Sequence, residues 1–283
     1  MGPTATPAIT GVVDCHQHVR ISDLFTAERE GRLQHGIEAD VADRRAMMAR
    51  YGIVASVLMP SFDYDKSGGV ESTARALSML EAYRDTAPDA FPWLGCTVEP
   101  MHYDNGLALL DERLGGGRYA AVTWHNRFHG VPADAPIMTA LVDVAARHHV
   151  PVLIHAAGNL DHEEAWRVAR LVRRSPQARF VVLDGLMTLA STEVLTDLAA
   201  GARNVWLDTA NALPVRRVVN AVGDRVGWDR VVFGSCYYAS AYSYTLCAPL
   251  EEFLASTSDR GVRSAVLHEN LRGILGAPAR ADD

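Results

Sequence analysis

The stretch Val12-Val13-Asp14-Cys15-His16-Gln17-His18-Val19 is a short β-branched run that carries two histidines separated by one residue. Such a run predicts a buried strand, and side chains two apart on a strand point to the same side. Both imidazoles therefore face one direction near the end of the first predicted strand. Two imidazoles in this arrangement can hold one cation.

Seven similar runs follow along the chain and alternate with amphipathic segments of helical period. The further predicted strands are 54–60, 93–98, 120–125, 151–155, 179–184, 205–208 and 230–236. The predicted helices include 70–84, 138–148, 163–174, 191–200, 215–222, 244–256 and 262–275. Eight alternations of this kind favour a closed (β/α)8 TIM barrel over an open doubly wound sheet, whose glycine fingerprint is missing here.

Length and composition predict one domain over residues 1–283, with residues 1–10 as a flexible start. The chain is 48% hydrophobic and 22% charged, which is enough for one sizeable core. A net charge of -7 without a basic stripe argues against nucleic acid as a partner. We expect a soluble cytoplasmic protein that takes a small molecule, because residues 1–9 lack a signal pattern and no apolar run approaches ~20 residues. A homodimer is the base-rate expectation for its assembly.

Polar residues at strand ends are the candidates for chemistry, because the carboxyl ends of barrel strands converge on one mouth. His16, His18 and His155 pass this filter and are the predicted cation ligands. Further polar side chains at predicted strand ends are Glu99, His125, Asp184, Asp208 and Cys236. Each of these also has a structural interpretation, as a hydrogen-bonded or packed side chain at the mouth.

Ordered motifs across the chain resemble the "amidohydrolase 2" branch of the amidohydrolase superfamily, a group of TIM-barrel lactonases, decarboxylases and related hydrolases. Asp14-Cys-His16-Gln-His18 resembles the DxHxH motif that opens the superfamily. The later matches are Thr123-Trp-His125, Val152-Leu-Ile-His155, Val181-Val-Leu-Asp184-Gly185, Asn204-Val-Trp-Leu-Asp208 and Asp229-Arg-Val-Val-Phe-Gly-Ser-Cys236-Tyr237. The resemblance runs over residues 12–276 and implies a barrel enzyme with one divalent metal, zinc first, or with none.

Three positions depart from the family pattern. Gly185 stands where the branch has a histidine that polarises or protonates substrate, and Cys236 where it has an aspartate that ligates metal and accepts a proton from water. Thr123 replaces a lysine, and Lys66 is the only lysine in the chain. The resemblance therefore implies a single metal at most, because no carboxylated lysine is present to bridge two.

Cys236 has three interpretations from the sequence. As a thiolate it would complete a tetrahedral His3Cys zinc site with His16, His18 and His155, although four protein ligands would leave no open position. It could instead be a nucleophile whose pKa is lowered by a nearby cation, or an inert small residue. The candidate acids and bases that could replace the missing family residues are His125, Asp184, Asp208 and Glu99.

The function expected from these features is that of an enzyme acting on a small organic acid, lactone, amide or ring. Hydrolysis is the reaction that the resemblance implies first, and decarboxylation, cyclisation or dehydration in a biosynthetic role need no activated water. A catalytically degenerate barrel that binds a ligand or a partner is the alternative from another class. Loop 21–37 is predicted to form a lid, and the tyrosines after the last strand are predicted to line a pocket or to pack the loop: Tyr237, Tyr238, Tyr242 and Tyr244.

Overall fold

Eight parallel strands run in chain order around one sheet, and helices alternate with them. The computed structural model describes residues 11–158, 161–212, 214–238 and 247–276. The strands are β1 Val12–Val19, β2 Ile53–Pro60, β3 Trp93–Cys96, β4 Ala121–Trp124, β5 Val152–His155, β6 Phe180–Leu183, β7 Val205–Asp208 and β8 Val231–Val232. This order, with parallel neighbours throughout, is a (β/α)8 TIM barrel, as the sequence predicts.

Most of the helices form the outer layer of the barrel. The helices are α1 Ile21–Arg29, α2 Leu33–Tyr51, α3 Val70–Thr86, α4 Tyr103–Gly115, α5 Asn126–His129, α6 Pro136–Arg147, α7 Ala165–Arg174, α8 Leu189–Gly201, α9 Val215–Val226, α10 Ala248–Ser256, α11 Arg260–Ser264 and α12 Asn270–Leu275. A π-helical turn at Ala265–Glu269 joins α11 to α12. Within the described residues, none of these helices combines the length and the apolar composition that a membrane span requires.

Backbone hydrogen bonds between β1 and the segment after β8 close the barrel. The amide of Cys15 donates to Phe233 O at 3.0 Å, and the amide of His18 donates to Tyr237 O at 2.7 Å. The eighth strand is shorter than predicted because the chain leaves the regular ladder after Val232. The seam therefore runs beside the two histidines of β1.

A buried carboxylate ties this seam together. Asp14 Oδ1 accepts from the amides of His16 and Ser235, both at 3.0 Å. Asp14 Oδ2 accepts from Gln17 Nε2 at 2.8 Å and from Ser235 Oγ at 2.6 Å. All four hydrogen bonds hold backbone or side chains of the two strand ends in place, so Asp14 fixes the position from which His16 projects.

Apolar side chains alternate between two buried clusters, as the period of a strand requires. Val57 and Met59 of β2 face the barrel interior, while Leu58 faces the layer between sheet and helices. Leu271 and Ile274 of α12 join the interior cluster. The same alternation turns polar side chains into the barrel where the strands end.

Segment 21–37 is mostly helical, so the prediction of a long loop is wrong, while its role as a lid stays a prediction. It comprises α1, a turn at residues 30–32 and the first turn of α2. Ile21, Leu24 and Phe25 of α1 are buried, and the helix packs against α2 and α3. The apolar positions one turn apart give this segment a helical face that can be buried, although polar residues separate them. Residues 1–10 and 244–246 lie outside the described part of the chain.

Candidate active site

Three imidazoles meet at the carboxyl ends of β1 and β5. The Nε2 atoms of His16 and His18 are 3.0 Å apart, and His155 Nε2 lies 3.2 Å from the first and 3.3 Å from the second. Nitrogen ligands bound tetrahedrally to one zinc ion at 2.0–2.1 Å are about 3.3 Å apart. The spacing of these three atoms therefore fits one shared cation.

The other ring nitrogen of each imidazole faces a hydrogen-bond acceptor. The acceptors of the Nδ1 atoms are Asp208 Oδ2 for His16, Pro60 O for His18 and Trp124 O for His155, at 2.9, 3.3 and 3.0 Å. A carbonyl oxygen only accepts, so the Nδ1 atoms facing Pro60 and Trp124 carry the proton, and their Nε2 atoms present lone pairs to one another. Two lone pairs that converge with the Nε2 atom of His16, whose Nδ1 faces a carboxylate, fit a metal ion in the arrangement that commonly orients metal-binding histidines.

The electrostatic setting favours two neutral imidazoles and positive charge beside them. Burial, followed by the neighbouring imidazoles, lowers the pKa of His18 and His155 well below the ordinary value. Burial also opposes protonation of His16, but its interactions with Cys236, with Asp184 and with the hydrogen-bonded Asp208 outweigh burial and raise the pKa of His16. The two carboxylates would also attract a cation.

The two predicted aspartates stand on the outer side of His16. Asp208 is fully buried, receives the His16 Nδ1–H through Oδ2 and accepts from the amide of Asp184 through Oδ1 at 3.0 Å. Burial raises the pKa of Asp208. Asp184 lies further out, with its Oδ1 3.9 Å from His16 Nδ1, and it accepts from Asn211 Nδ2 at 2.8 Å. Asp208 thus orients a candidate ligand, and Asp184 is the carboxylate nearer to the mouth.

Cys236 lies beside His16 and Asp184, and it does not group with the other two imidazoles. Its sulfur lies within 4.8 Å of ligand atoms of His16 and Asp184, whereas His18 and His155 belong to the other group. Burial and the nearby Asp184 carboxylate raise the pKa of the thiol. The structure thus brings together three of the four predicted ligands, and the roles of Cys236 as ligand or nucleophile stay predictions.

Packing accounts for glycine at position 185. A Cβ on Gly185 would lie 2.4 Å from Leu195 Cδ1 of α8 and 3.2 Å from Val182 Cγ1. Real Cβ atoms essentially never approach a neighbour as closely as the first of these distances, so a histidine here would require the Leu195 side chain to move. The Leu195 side chain thus occupies space beside the strand end where the family pattern has its imidazole.

His125 lies beside the three imidazoles and is paired with an acid that the sequence did not reveal. Its ring stacks on His155 with 4.1 Å between centroids and 12° between planes. Its Nδ1 is hydrogen-bonded to Glu163 Oε1. Burial lowers the pKa of His125 to about 3 and raises that of Glu163 to about 7. Glu163 falls at the start of a predicted helix, and its position in the connection after β5, at the mouth, was the available signal.

Glu99 belongs to a neighbouring polar group. It is buried and is bonded to three side chains: Tyr64 Oη at 3.0 Å, Lys66 Nζ at 3.0 Å and His129 Nδ1 at 2.8 Å. The Phe62 ring lies between this group and the imidazoles, 5.0 Å from the ring of His129 and 5.9 Å from that of His155. The structure therefore does not bring Glu99 to the three-imidazole group.

The two described tyrosines after β8 have different positions. The ring of Tyr238 stacks on His18, with centroids 4.3 Å apart and planes 24° apart. Tyr237 packs instead against the guanidinium of Arg44, which lies 4.8 Å from its ring centroid. Arg44 also donates to His18 O at 3.0 Å and to Tyr238 O. Tyr238 thus borders the site and Tyr237 supports it, while Tyr242 and Tyr244 lie outside the described residues.

Several solved structures share this fold at low sequence identity. A 2,6-dihydroxybenzoate decarboxylase from Rhizobium superposes with a TM-score of 0.70 at 13% identity, covering 94% of this chain and 99% of that one. A 5-carboxyvanillate decarboxylase from Novosphingobium aromaticivorans, solved with manganese and 4-hydroxy-3-methoxy-5-nitrobenzoic acid, gives 0.69 at 15%, covering 97% and 98%. An uncharacterised TIM-barrel protein from Bordetella bronchiseptica gives 0.71 at 16%, covering 94% and 98%.

The sequence comparisons give one family and no individual relative. No curated protein matches the chain. The family model Amidohydro_2, described as Amidohydrolase, matches residues 13–276, which include every residue of the three-imidazole group and its acceptors. The chain belongs to this amidohydrolase family and is an enzyme of the amidohydrolase superfamily.

Proposed function

We propose that the protein is a metal-dependent decarboxylase of a small aromatic acid. The observation that carries the proposal is the convergence of three Nε2 atoms within 3.3 Å at the barrel mouth, each imidazole being held from behind by an acceptor. This arrangement supports a resident divalent cation at the place where barrel enzymes carry their chemistry.

The residues that would hold the ion are His16, His18 and His155. Three imidazoles with an open fourth position are a ligand set of catalytic zinc, so zinc is the metal we propose. When bound, a divalent cation supplies positive charge that stabilises negative charge developing on substrate oxygens. Burial keeps His18 and His155 neutral, and Asp208, Pro60 and Trp124 orient the three imidazoles.

The residues around the ion favour decarboxylation over attack by water. The family position that accepts a proton from water carries Cys236, a thiol whose pKa is raised by burial. Decarboxylation needs a proton donor instead: the bond from ring carbon to carboxyl breaks, its electron pair stays on the ring carbon, carbon dioxide leaves and one proton adds to that carbon. The imidazole of His125 stands beside the ion site for this transfer.

Aromatic side chains support a flat substrate. Tyr238 stacks over His18, and Phe62 meets the rings of His18 and His155 edge-on at 5.7 and 5.9 Å. Phe128, which is 41% exposed, stands edge-on to His125 with centroids 4.6 Å apart. Rings of this kind favour offset or edge contacts with another aromatic ring. The decarboxylases with the same fold act on hydroxylated benzoates, which is the substrate class we propose.

Hydrolysis of a lactone or amide is the second candidate function. The observation in its favour is Asp184, a carboxylate next to His16 that keeps 7% of its side chain exposed. A carboxylate there is placed to accept a proton from a water molecule. Hydrolysis would give Asp184 the role that the family pattern assigns to the residue at position 236.

The test is turnover by zinc-loaded and manganese-loaded protein. Hydroxybenzoates and carboxyvanillates would be assayed for released carbon dioxide, and aryl lactones and anilides for ring opening or amine release. We expect carbon dioxide from at least one hydroxybenzoate and loss of that activity in His155→Asn. His35→Gln, which alters an exposed histidine on α2, is the matched control. Hydrolysis without decarboxylation would establish the second candidate, and inactivity toward both panels in metal-loaded protein would contradict the proposal.

A further inference from the structure

We infer that Glu163 is a positioning residue that fixes the ring of His125 and directs its Nε2 toward the substrate. The chemical role of His125 rests on the proposed function, whereas the positioning rests on geometry alone.

Glu163 is held rigidly before it meets His125. Its side chain is fully buried. Its Oε1 accepts from the backbone amide of Arg127 at 2.7 Å and is hydrogen-bonded to His125 Nδ1. When Glu163 is ionised, its oxygens can only accept, so Oε1 then receives both the Arg127 amide N–H and the Nδ1–H of the imidazole. His125 is thereby confined to the tautomer whose Nε2 carries a lone pair.

His125 is the imidazole of the mouth that remains accessible. Its side chain is 9% exposed, whereas His16, His18 and His155 are completely buried. Within the described residues, Nε2 of His125 has no hydrogen-bond partner, and it is not among the buried atoms that lack one. The ring is also stacked on His155, directly beside the candidate ion site. A substrate held at that site would meet this nitrogen.

The environment of the second carboxylate oxygen of Glu163 indicates that this acid has a role beyond packing. Its Oε2 is buried and has no partner among the described residues. Leaving a buried polar atom unsatisfied costs free energy of folding, a cost that an apolar side chain of similar size would avoid. An acid kept under these conditions is typical of a residue that orients a functional imidazole.

The tautomer of His125 is the most direct test, and it needs no substrate. Protein with ¹⁵N-labelled histidine, loaded with diamagnetic zinc, would be compared with Glu163→Ala, Glu163→Gln and the control Glu164→Gln, whose side chain makes no hydrogen bond in the described residues. The His125→Gln spectrum assigns the signal. We expect the Nδ1–H tautomer in wild type and Glu164→Gln, and a mixture or the Nε2–H tautomer in Glu163→Ala. An unchanged tautomer in folded Glu163→Ala overturns the inference.

Kinetics supply the second measurement once a substrate is found. Glu163→Gln keeps an acceptor oxygen but loses the charge, so we expect kcat to fall by about 10²-fold while KM changes little. A kcat of Glu163→Ala equal to that of Glu164→Gln overturns the inference. Failure of the proposed function would instead appear as absence of turnover with a normal His125 tautomer, so the two failures are distinguishable.

Discussion

The surroundings of the three candidate ligands determine what each of the two ring nitrogens contacts. On one side, Asp208, Pro60 and Trp124 take the Nδ1 protons, and on the other side the Nε2 atoms converge. Asp208 is the one charged acceptor of the three, and it reaches His16 because Gly234 leaves room. A Cβ on that glycine would lie 2.5 Å from Asp208 Oδ2. The Asp208 carboxylate thus orients one candidate ligand, His16.

Asp208→Asn tests this control. The amide can still accept from His16, but it lacks the charge that makes the imidazole a stronger ligand. We expect zinc affinity to fall by about 10–100-fold, measured by competition with a chromophoric chelator. Asp224→Asn, at an exposed position of α9, should bind zinc like the wild type. Equal affinities of Asp208→Asn and wild type would show that the carboxylate does not support the ligand.

Cys236→Ser tests whether the thiol is a ligand. Because Cys236 groups with His16 and Asp184 and not with His18 and His155, we expect the variant to keep its full complement of metal. The cobalt-substituted wild-type protein should lack the absorption band that a thiolate ligand gives in the near ultraviolet. A strong band that disappears in Cys236→Ser would instead support the His3Cys site.

The carboxyl ends of the strands determine where the polar side chains of the site lie. The sequence predicts the positions of the strands better than it predicts where each strand ends. The apolar runs located all eight strands, because buried parallel strands are continuous hydrophobic segments. The sequence predicts an end of β8 that is too late, because polar contacts around Asp14, which the sequence pattern does not reveal, determine the path of the chain after Val232. It predicts a loop over 21–37 because the short apolar face of this segment is interrupted by polar residues.

The connections after β2, β3 and β4 share a buried ionic group that stabilises the fold. Burial opposes the ionisation of Glu99, but His129 and Lys66 outweigh it and lower the pKa of Glu99 to about 2. A carboxyl with a lower pKa in the folded state stabilises the protein above its unfolded pKa, near 4.5. That stabilisation is lost as the pH falls from there to about 2.

Glu99→Gln should therefore be most destabilising at neutral pH. The pH-dependent part of the difference in free energy of unfolding from wild type should amount to about 3 kcal/mol and shrink steadily below pH 4.5. Urea unfolding at several pH values measures it, with Glu112→Gln on the exposed face of α4 as control. A difference that does not vary with pH would mean that the charge of Glu99 is not what stabilises these connections.

The whole barrel is what assembles the site from distant parts of the chain. The strand-end rule was enough to predict that His16, His18 and His155 share one mouth, although the last is 139 positions from the first. The partners Glu163 and Phe62 could not be predicted in this way. They come from connections whose path depends on packing, and their contacts follow no sequence period.

The metal content of the purified protein tests the central claim most directly. Protein prepared without chelator would be analysed by plasma mass spectrometry beside His16→Ala/His18→Ala and the control His35→Gln. We predict about one equivalent of a divalent metal, zinc first, in wild type and control, and none in the double variant. Metal-free wild-type protein that also fails to take up zinc, or equal metal in the double variant, would contradict a three-imidazole metal centre.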